Sequence, residues 1–164
     1  MASELKNLSE YSETGIINYN PNTNYRIGIV VSEWNQEITA NLADGAIKTL
    51  KKYGYRSANI IVKSVPGSFE LPLAAKFLIE YQNVDAVICL GCVIQGETRH
   101  FDYVCSGVTQ GIMDINIQTG VPVAFGVLTT DNQQQALDRA GGKYGNKGDE
   151  AAVAVLKMLS LKKD

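Results

Sequence analysis

The amino-acid sequence predicts an α/β fold in which helices cover both faces of a parallel sheet. Short apolar runs alternate with amphipathic segments along the chain, as in proteins built from strand–helix–strand units. The run VDAVICLGCVI (84–94) is apolar almost throughout, which indicates a strand buried on both faces, as in parallel sheets. Apolar residues recur at a spacing of four after the first strand, which gives a helix one apolar stripe. They are Ile38, Leu42, Ala46 and Leu50.

The first part of the chain contains two predicted strands with a helix between them. The β-branched run RIGIVV (26–31) predicts the first strand, and ANIIVKSV (58–65) predicts the second. The apolar stripe predicts a helix that starts near Asn35 and ends at Gly54, because glycine commonly follows the last helical turn.

A turn and a second helix follow at VPGSFELP (65–72). We expect Pro66 and Gly67 to form a turn in which Gly67 adopts a positive φ. Ser68 is then placed to cap the helix, and Pro72 lies in its first turn, where the missing N–H is tolerated.

The rest of the chain continues the alternation of strands and helices. Tyr103 to Ile117 predicts a helix after the third strand, and VPVAFGVLT (121–129) predicts the fourth strand. Two helical pieces, Gln133 to Ala140 and Glu150 to Leu159, end the chain with a glycine-rich segment between them. We therefore expect a central sheet of four parallel strands.

Length and composition indicate one globular domain. The chain has 164 residues, of which 45% are hydrophobic and 20% are charged, an ordinary balance for such a domain. We assign 25–164 to the α/β domain and 1–24 to a polar N-terminal arm, in which Gly15-Ile16-Ile17 is a candidate edge strand.

Charge and cysteine usage argue against several classes of function. The net charge of −2 disfavours nucleic acid or an anionic membrane as the main partner, since both select a basic surface. No apolar run approaches the ~20 residues of a membrane span, and the polar start does not resemble a secretory signal, so we expect a cytoplasmic protein. Cys89 and Cys92 face opposite sides of a strand and cannot share a metal or a disulfide. With one histidine, a zinc site is not expected.

The carboxyl ends of the predicted strands gather polar and aromatic residues at one edge of the sheet. Right-handed crossovers place every loop that follows a strand on that edge, where open α/β sheets bind ligands. These residues are Trp34 and Asn35 after the first strand, Gly67 to Glu70 after the second, Gly96 to His100 after the third, and Thr129 to Asp131 after the fourth, with Phe125 inside that strand.

Residues after the first two strands have a structural and a functional interpretation. Trp34 either has a structural role, packed into the core or partly exposed at the start of a helix, or exposes its indole as a stacking surface for a planar heterocycle, with Asn35 beside it as a hydrogen-bonding group. Glu70 either complements the dipole of a helix, as acids in a first turn do, or accepts hydroxyl groups of a polyol. Backbone N–H groups of Ser68 and Phe69 would help to hold that polyol.

The stretch from Gly96 to His100 carries the strongest functional signal. With Thr98 as the N-cap, the free N–H groups of the following helix form an anion site suited to phosphate. His100 is either an inert surface residue or, beside that site, an imidazole that accepts a proton and returns it; we prefer the second. Arg139 and Lys147 are solvated surface charges or, for the arginine, a bidentate phosphate ligand.

These stretches together resemble the lumazine synthase family of riboflavin biosynthesis. The matching segments occur in the family's order and cover most of residues 26–160. Arg99 lies where the family varies, and we assign it no role. The segments are SEWN (32–35), VPGSFELP (65–72), CLGCVIQGETRHFDYVC (89–105), VPVAFGVLTTDNQQQALDRAG (121–141) and GNKGDEAA (145–152).

The resemblance implies an enzyme that needs no cofactor and no metal. It condenses 5-amino-6-(D-ribitylamino)uracil with 3,4-dihydroxy-2-butanone 4-phosphate to 6,7-dimethyl-8-ribityllumazine, and it releases phosphate and water. By the same resemblance, His100 transfers protons. Residues that bind the ribitylaminouracil are Trp34, Asn35, Ser68, Phe69, Glu70, Val93, Ile94, Phe125 and Lys147. Residues that bind the phosphate are Gly96, Glu97, Thr98 and Arg139.

The resemblance also implies an architecture and an assembly. Members of the family have a flavodoxin-like three-layer fold and form homopentamers, many of which assemble into a hollow icosahedral shell, with riboflavin synthase as a candidate partner. The active site lies between neighbouring subunits, so Phe125, Arg139 and Lys147 would act across the interface. Two other interpretations stay open: a carrier of a flavin or pterin, in which His100 has no role, and a shell without chemistry.

Overall fold

A parallel sheet of four strands forms the centre of the protein. The computed structural model describes residues 24–162. The strands run in the order β2-β1-β3-β4, and all neighbouring pairs are parallel, which confirms the predicted sheet and its flavodoxin-like order. The candidate strand at 15–17 lies outside the described residues. The strands are β1 (Ile27–Ser32), β2 (Ile60–Val65), β3 (Ala86–Ile94) and β4 (Val123–Thr130).

Helices pack on both faces of this sheet, as the sequence predicted. Within residues 24–162, none of them combines the length and apolarity needed to cross a membrane. The apolar stripe predicted for the first helix is buried, and it packs with the last helix on one face. The second and third helices pack on the other face. The helices are α1 (Gln36–Lys52), α2 (Leu71–Gln82), α3 (His100–Thr119), α4 (Gln133–Asp138) and α5 (Lys147–Leu161).

The central strand β3 contributes side chains to both cores, because alternate residues of a strand point to opposite faces. Cys92 lies in the core under α1 and α5, and Cys89 lies in the core under α2 and α3. Burial raises the pKa of Cys89 to about 12 and that of Cys92 to about 11. Both thiols therefore stay protonated at neutral pH and serve as packing groups, and the prediction that they cannot pair is confirmed.

The glycine-rich segment near the C-terminus forms a small antiparallel hairpin that the sequence did not predict. Gly141 and Gly145 have φ values of 99° and 86°, which glycine adopts without strain. Because Ala140 pairs within this hairpin, the helix predicted to extend to Ala140 ends at Asp138. The strands of the hairpin are β5 (Ala140–Gly142) and β6 (Gly145–Asn146).

The start of α5 also differs from the prediction. The helix begins at Lys147 rather than Glu150, because the side-chain oxygen of Asn146 accepts a hydrogen bond from the Gly148 N–H at 2.8 Å and caps the first turn. An asparagine followed by two acidic residues is a helix-start signal that the prediction overlooked.

The hairpin and the start of α5 are anchored to α1. The Asn146 side-chain nitrogen donates to the Asn41 carbonyl oxygen at 2.9 Å. Gly148 lies so close to α1 that a Cβ there would overlap the Leu42 carbonyl oxygen. The hairpin therefore belongs to the α1/α5 layer, on the opposite side of the sheet from α2 and α3.

Candidate active site

A cavity of about 700 Å³ opens at the carboxyl ends of β1, β2 and β3. It lies where the strand order reverses between β1 and β3, which is the usual ligand site of an open α/β sheet. Three of the four loops that the sequence predicted to gather contribute to it. The lining residues are Trp34, Asn35, Pro66, Gly67, Ser68, Phe69, Glu70, Cys92, Val93, Ile94, Gly96, Thr98, His100, Phe101, Tyr103 and Val104.

The loop after β1 presents the tryptophan to this cavity. Trp34 is 74% exposed, so its interpretation as a core residue is wrong. The backbone N–H of Trp34 donates to the Pro66 carbonyl oxygen at 3.1 Å. The next residue, Asn35, has a left-handed φ of 59°. The Asn35 side-chain nitrogen donates to the Cys92 carbonyl oxygen at 3.0 Å. These contacts tie the loop to its two neighbours and leave the indole face open.

The loop after β2 differs from the prediction at Gly67 and Ser68. Gly67 is extended, with φ −145°, because the chain continues straight into a short 3₁₀ turn at Ser68–Glu70. The expected positive φ is therefore wrong. Ser68 does not cap a helix through its side chain. Instead, a Glu70 carboxylate oxygen accepts the Gly67 N–H at 3.0 Å, so the structural interpretation of Glu70 holds in part: it stabilises the turn.

Ser68 occupies an unusual position in this loop. It is only 6% exposed, and its hydroxyl has no hydrogen-bond partner within residues 24–162. The space it fills exists because residue 91 is glycine, since a Cβ on Gly91 would collide with the Ser68 hydroxyl. A buried hydroxyl without a partner is costly in a folded protein.

Phe69 projects from the same turn over α3. The ring is 61% exposed, and a Cβ placed on Gly107 would lie 2.9 Å from its Cε2 atom. The absence of a side chain at Gly107 therefore lets the Phe69 ring lie close against the helix. This contact sets the position of one wall of the cavity.

The loop after β3 ends at the start of α3, earlier than the predicted Tyr103. Arg99 is the N-cap residue and has helical angles, with φ −69° and ψ 0°, so Thr98 is not the N-cap. The Thr98 hydroxyl nevertheless accepts the His100 N–H at 3.4 Å, a long hydrogen bond that a ligand can replace. His100 is the first residue of the helix and is exposed. Gly96 and Thr98 line the cavity, whereas Glu97 does not.

Three cavity residues on α3 were missed by the sequence prediction. Tyr103 and Val104 lie three and four positions after His100, on the same face of the helix, so the helical spacing held the signal. Phe101 follows His100 directly. All three line the cavity and make its α3 wall largely apolar.

A second group of predicted site residues lies away from this cavity. Phe125 pairs with Cys89 in the middle of β4 and packs against the core under α2 and α3. Arg139 and Lys147 flank the hairpin, where the Lys147 N–H donates to the Arg139 carbonyl oxygen at 2.9 Å. None of the three lines the cavity. Thr129, Thr130 and Asp131, the predicted fourth loop, do not line it either. The expectation that this loop joins the other three in one chain is therefore wrong, because β4 is an edge strand whose following elements pack toward α1.

The two cations of this second group are held differently. Lys147 forms an ion pair with Glu150, at 2.9 Å between Nζ and Oε2. The Arg139 guanidinium lies over the Tyr144 ring, with Cζ 5.0 Å from the ring centroid, and Nη1 donates to the Gln135 carbonyl oxygen at 3.3 Å. Among the described side chains no group of three or more His, Cys, Asp or Glu residues is arranged to hold a metal ion.

Comparison with known proteins identifies the family. The family profile described as 6,7-dimethyl-8-ribityllumazine synthase matches residues 24–163. This chain belongs to that family. A relative of the same name from Cytophaga hutchinsonii is 60% identical over 161 residues, 98% of each chain. Others from Parabacteroides distasonis (56% identical, covering 98% of this chain and 99% of the relative) and Porphyromonas gingivalis (53% identical, 99% of each chain) are similar along their whole length.

The family match covers both groups of site residues. It runs from residue 24 to residue 163 and so includes the cavity and the hairpin alike. The relatives align over nearly their full length, so neither group belongs to an insertion peculiar to this chain.

Proposed function

We propose that this chain is a transferase of riboflavin biosynthesis that makes 6,7-dimethyl-8-ribityllumazine. It condenses 5-amino-6-(D-ribitylamino)uracil with 3,4-dihydroxy-2-butanone 4-phosphate and releases phosphate and water. The observation that carries the proposal is one cavity shared by the exposed indole of Trp34, the turn at Ser68–Glu70 and the imidazole of His100. The first substrate has a flat ring that can stack on the indole and a polyol chain that can bind to the turn, and its condensation needs a proton acceptor.

The ribitylaminouracil binds across the loops after β1 and β2. Its pyrimidine stacks on Trp34, whose ring face is open. Backbone groups of Val93 and Ile94, which line the cavity floor, bind the uracil edge. The ribityl hydroxyl groups interact with the loop at Ser68 to Glu70, through the Glu70 carboxylate and the backbone N–H groups of Ser68 and Phe69, three residues that line the cavity.

The butanone phosphate binds beside the N-terminus of α3. Gly96, Glu97 and Thr98 precede this helix, and helix N-termini favour anions. His100 lies at the first helical position and transfers protons during imine formation and phosphate loss. Holding both substrates in register supplies roughly 7–11 kcal/mol in favourable cases.

The site is completed by a neighbouring copy of the chain in a homopentamer. Phe125, Arg139 and Lys147 lie away from the cavity of their own chain, so a phosphate ligand such as Arg139 reaches it from a second subunit. Exposed apolar residues on α2 and α3 support such a contact, since a surface this apolar commonly marks an interface. These residues are Leu73, Phe77, Tyr81, Tyr103, Met113 and Ile117.

The cellular setting follows from the activity. We place the enzyme in the cytoplasm. Two further properties remain to be tested: assembly of pentamers into an icosahedral shell, and association with riboflavin synthase. Native mass spectrometry of the purified full chain distinguishes a pentamer from a shell.

The decisive assay mixes the two substrates with the purified chain and follows lumazine absorbance. A carrier of flavin or pterin, or a shell without chemistry, gives no product. Two variants then separate the roles. His100→Ala should slow kcat by about a hundredfold, the lower end of what a positioned proton acceptor contributes, because binding persists without the imidazole, whereas Arg139→Ala should mainly raise KM for the butanone phosphate. A larger rise in that KM for His100→Ala than for Arg139→Ala would overturn the assignment.

A further inference from the structure

Arg139 is held in place without a carboxylate. Its guanidinium carbon lies 5.0 Å from the centroid of the Tyr144 ring, and Nη1 donates to the Gln135 carbonyl oxygen at 3.3 Å. Across residues 24–162 no salt bridge involves this arginine. Lys147, by contrast, is ion-paired with Glu150.

Tyr144 is itself fixed by the hairpin. Its N–H donates to the Asp138 carbonyl oxygen at 2.8 Å, and the Lys147 N–H donates to the Arg139 carbonyl oxygen at 2.9 Å. These two bonds close the hairpin on either side of the tyrosine, whose side chain is half-buried. The Tyr144 backbone is therefore fixed next to the Arg139 backbone, and the ring extends from it to the guanidinium.

An aromatic ring orients a guanidinium differently from a carboxylate. The ring attracts the face of the guanidinium, and the N–H donors lie in the plane of that group, so they stay available for a bidentate contact. A carboxylate would occupy those donors and offset the charge. The Lys143 ammonium also lies 4.9 Å from the same ring centroid, so two cations lie near this ring.

We propose that Tyr144 is a positioning residue that holds Arg139 ready for the substrate phosphate while leaving its charge unpaired and the donors not used by Gln135 free. This inference rests on the proposed function, because it assumes that Arg139 binds the phosphate. It concerns a side chain that the family motifs do not include, since Tyr144 lies in the gap between the two matching segments 121–141 and 145–152.

The test uses two substitutions of Tyr144 in the full-length enzyme. Tyr144→Leu keeps apolar bulk but removes the π face, and Tyr144→Phe keeps the π face but removes the hydroxyl. We expect KM for the butanone phosphate to rise about two- to fivefold in Tyr144→Leu, with kcat and KM for the ribitylaminouracil unchanged. Tyr144→Phe should restore the wild-type KM. A role in packing alone predicts that leucine rescues at least as well as phenylalanine.

A second measurement follows anion binding without turnover. Inorganic phosphate, titrated calorimetrically, should bind Tyr144→Leu about two- to fivefold more weakly than wild type or Tyr144→Phe. In an Arg139→Ala background, Tyr144→Leu should cause no additional loss, because the tyrosine acts through the arginine.

The outcomes separate the two proposals. If wild type forms no lumazine, the proposed function fails, and the phosphate titration still decides on Tyr144. If wild type forms lumazine but Tyr144→Leu matches wild type, or Tyr144→Phe is as impaired as Tyr144→Leu, the positioning role is wrong. A loss from Tyr144→Leu that persists without Arg139, or an Arg139→Ala variant with unaltered phosphate affinity, overturns it as well.

Discussion

The two helical layers cover the same sheet but have different surfaces. The α2/α3 layer exposes large apolar side chains along its outer face. Among the described residues of α1 and α5, the exposed large apolar side chains are those of Met158 and Leu161. The α2/α3 layer also flanks the cavity, while the α1/α5 layer carries the hairpin with Arg139 and Lys147. The cavity beside α2 and α3 therefore has no lysine or arginine in its lining, and Arg139 and Lys147 lie in the other layer, outside that cavity.

Under the proposed function, this difference means that a single chain contains two halves of a site. The half on α2/α3 would bind rings and polyols, and the half at the hairpin would offer positive charge. The apolar surface of α2 and α3 is available for a second copy, which would bring the two halves together in the proposed oligomer. Substitutions can establish whether the halves act from different subunits, how much each half contributes to stability, and how strongly the position of the cavity wall affects substrate binding.

The largest expected effect is recovery of activity from two inactive variants. One chain carries Trp34→Ala and His100→Ala, and the other carries Arg139→Ala and Lys147→Ala. Each alone should lose at least about a hundredfold in kcat/KM. When the two are unfolded together and refolded as a mixture, about one site in four should combine both intact halves, because chains assemble at random.

The control for this experiment is refolding of each variant separately before mixing. Preformed oligomers should show no recovery until subunits exchange. If co-refolded mixtures stay as inactive as the separate variants, while native mass shows mixed oligomers, then both halves act within one chain and the difference between the layers has no functional meaning.

The second effect concerns how firmly each half is anchored. Gly148→Ala should lower the free energy of unfolding by about 3 kcal/mol or more, because the new Cβ would overlap backbone of α1 at Leu42. Gly96→Ala is the matched control on the cavity side, since nothing lies within 4 Å of the position that its Cβ would take, and it should change stability by less than about 0.5 kcal/mol. Urea denaturation measures both. Equal losses would mean that the hairpin is no more firmly anchored than the cavity rim.

Sequence reasoning located the cavity half well and the hairpin half poorly. Trp34, Phe69 and His100 follow three neighbouring parallel strands, and the rule that such loops share an edge is enough to bring them together. Phe125 could not be placed in this way, because it lies inside the edge strand β4, opposite Cys89. The position of Arg139 depends on a hairpin with two left-handed glycines, for which the glycine-rich composition gave no register.

Local geometry in the second loop was also beyond the sequence. Ser68 looked like a helix cap because serine precedes a proline-started helix. Its burial depends on contact with Gly91 in β3. Because the two residues are far apart in the sequence, no local pattern predicts this contact. The burial of Ser68 could therefore be seen only in the folded structure, although its place in the loop that lines the cavity was predicted.

The smallest expected effect concerns the contact between the Phe69 ring and α3 at Gly107, which forms one wall of the cavity. Gly107→Ala places a Cβ 2.9 Å from the Phe69 ring, and an exposed ring can move away at little cost. Alanine also gains roughly 0.5–1 kcal/mol in a helix interior, so stability should be unchanged or slightly higher. The displaced ring alters the cavity wall, and KM for the ribitylaminouracil should rise about two- to threefold.

Gly111→Ala is the matched control for Gly107→Ala, one turn further along α3. Its Cβ would lie 2.9 Å from ring atoms of Pro72, which cannot rotate away, so this variant should lose stability while the KM for the ribitylaminouracil stays near the wild-type value. Steady-state kinetics and urea denaturation on both variants separate the effects. If Gly107→Ala binds the ribitylaminouracil as wild type does, the position of Phe69 does not matter for binding. The cavity half would then hold the first substrate through its other proposed contacts, such as Trp34, Glu70 and the backbone of Val93, which the substitution leaves unchanged.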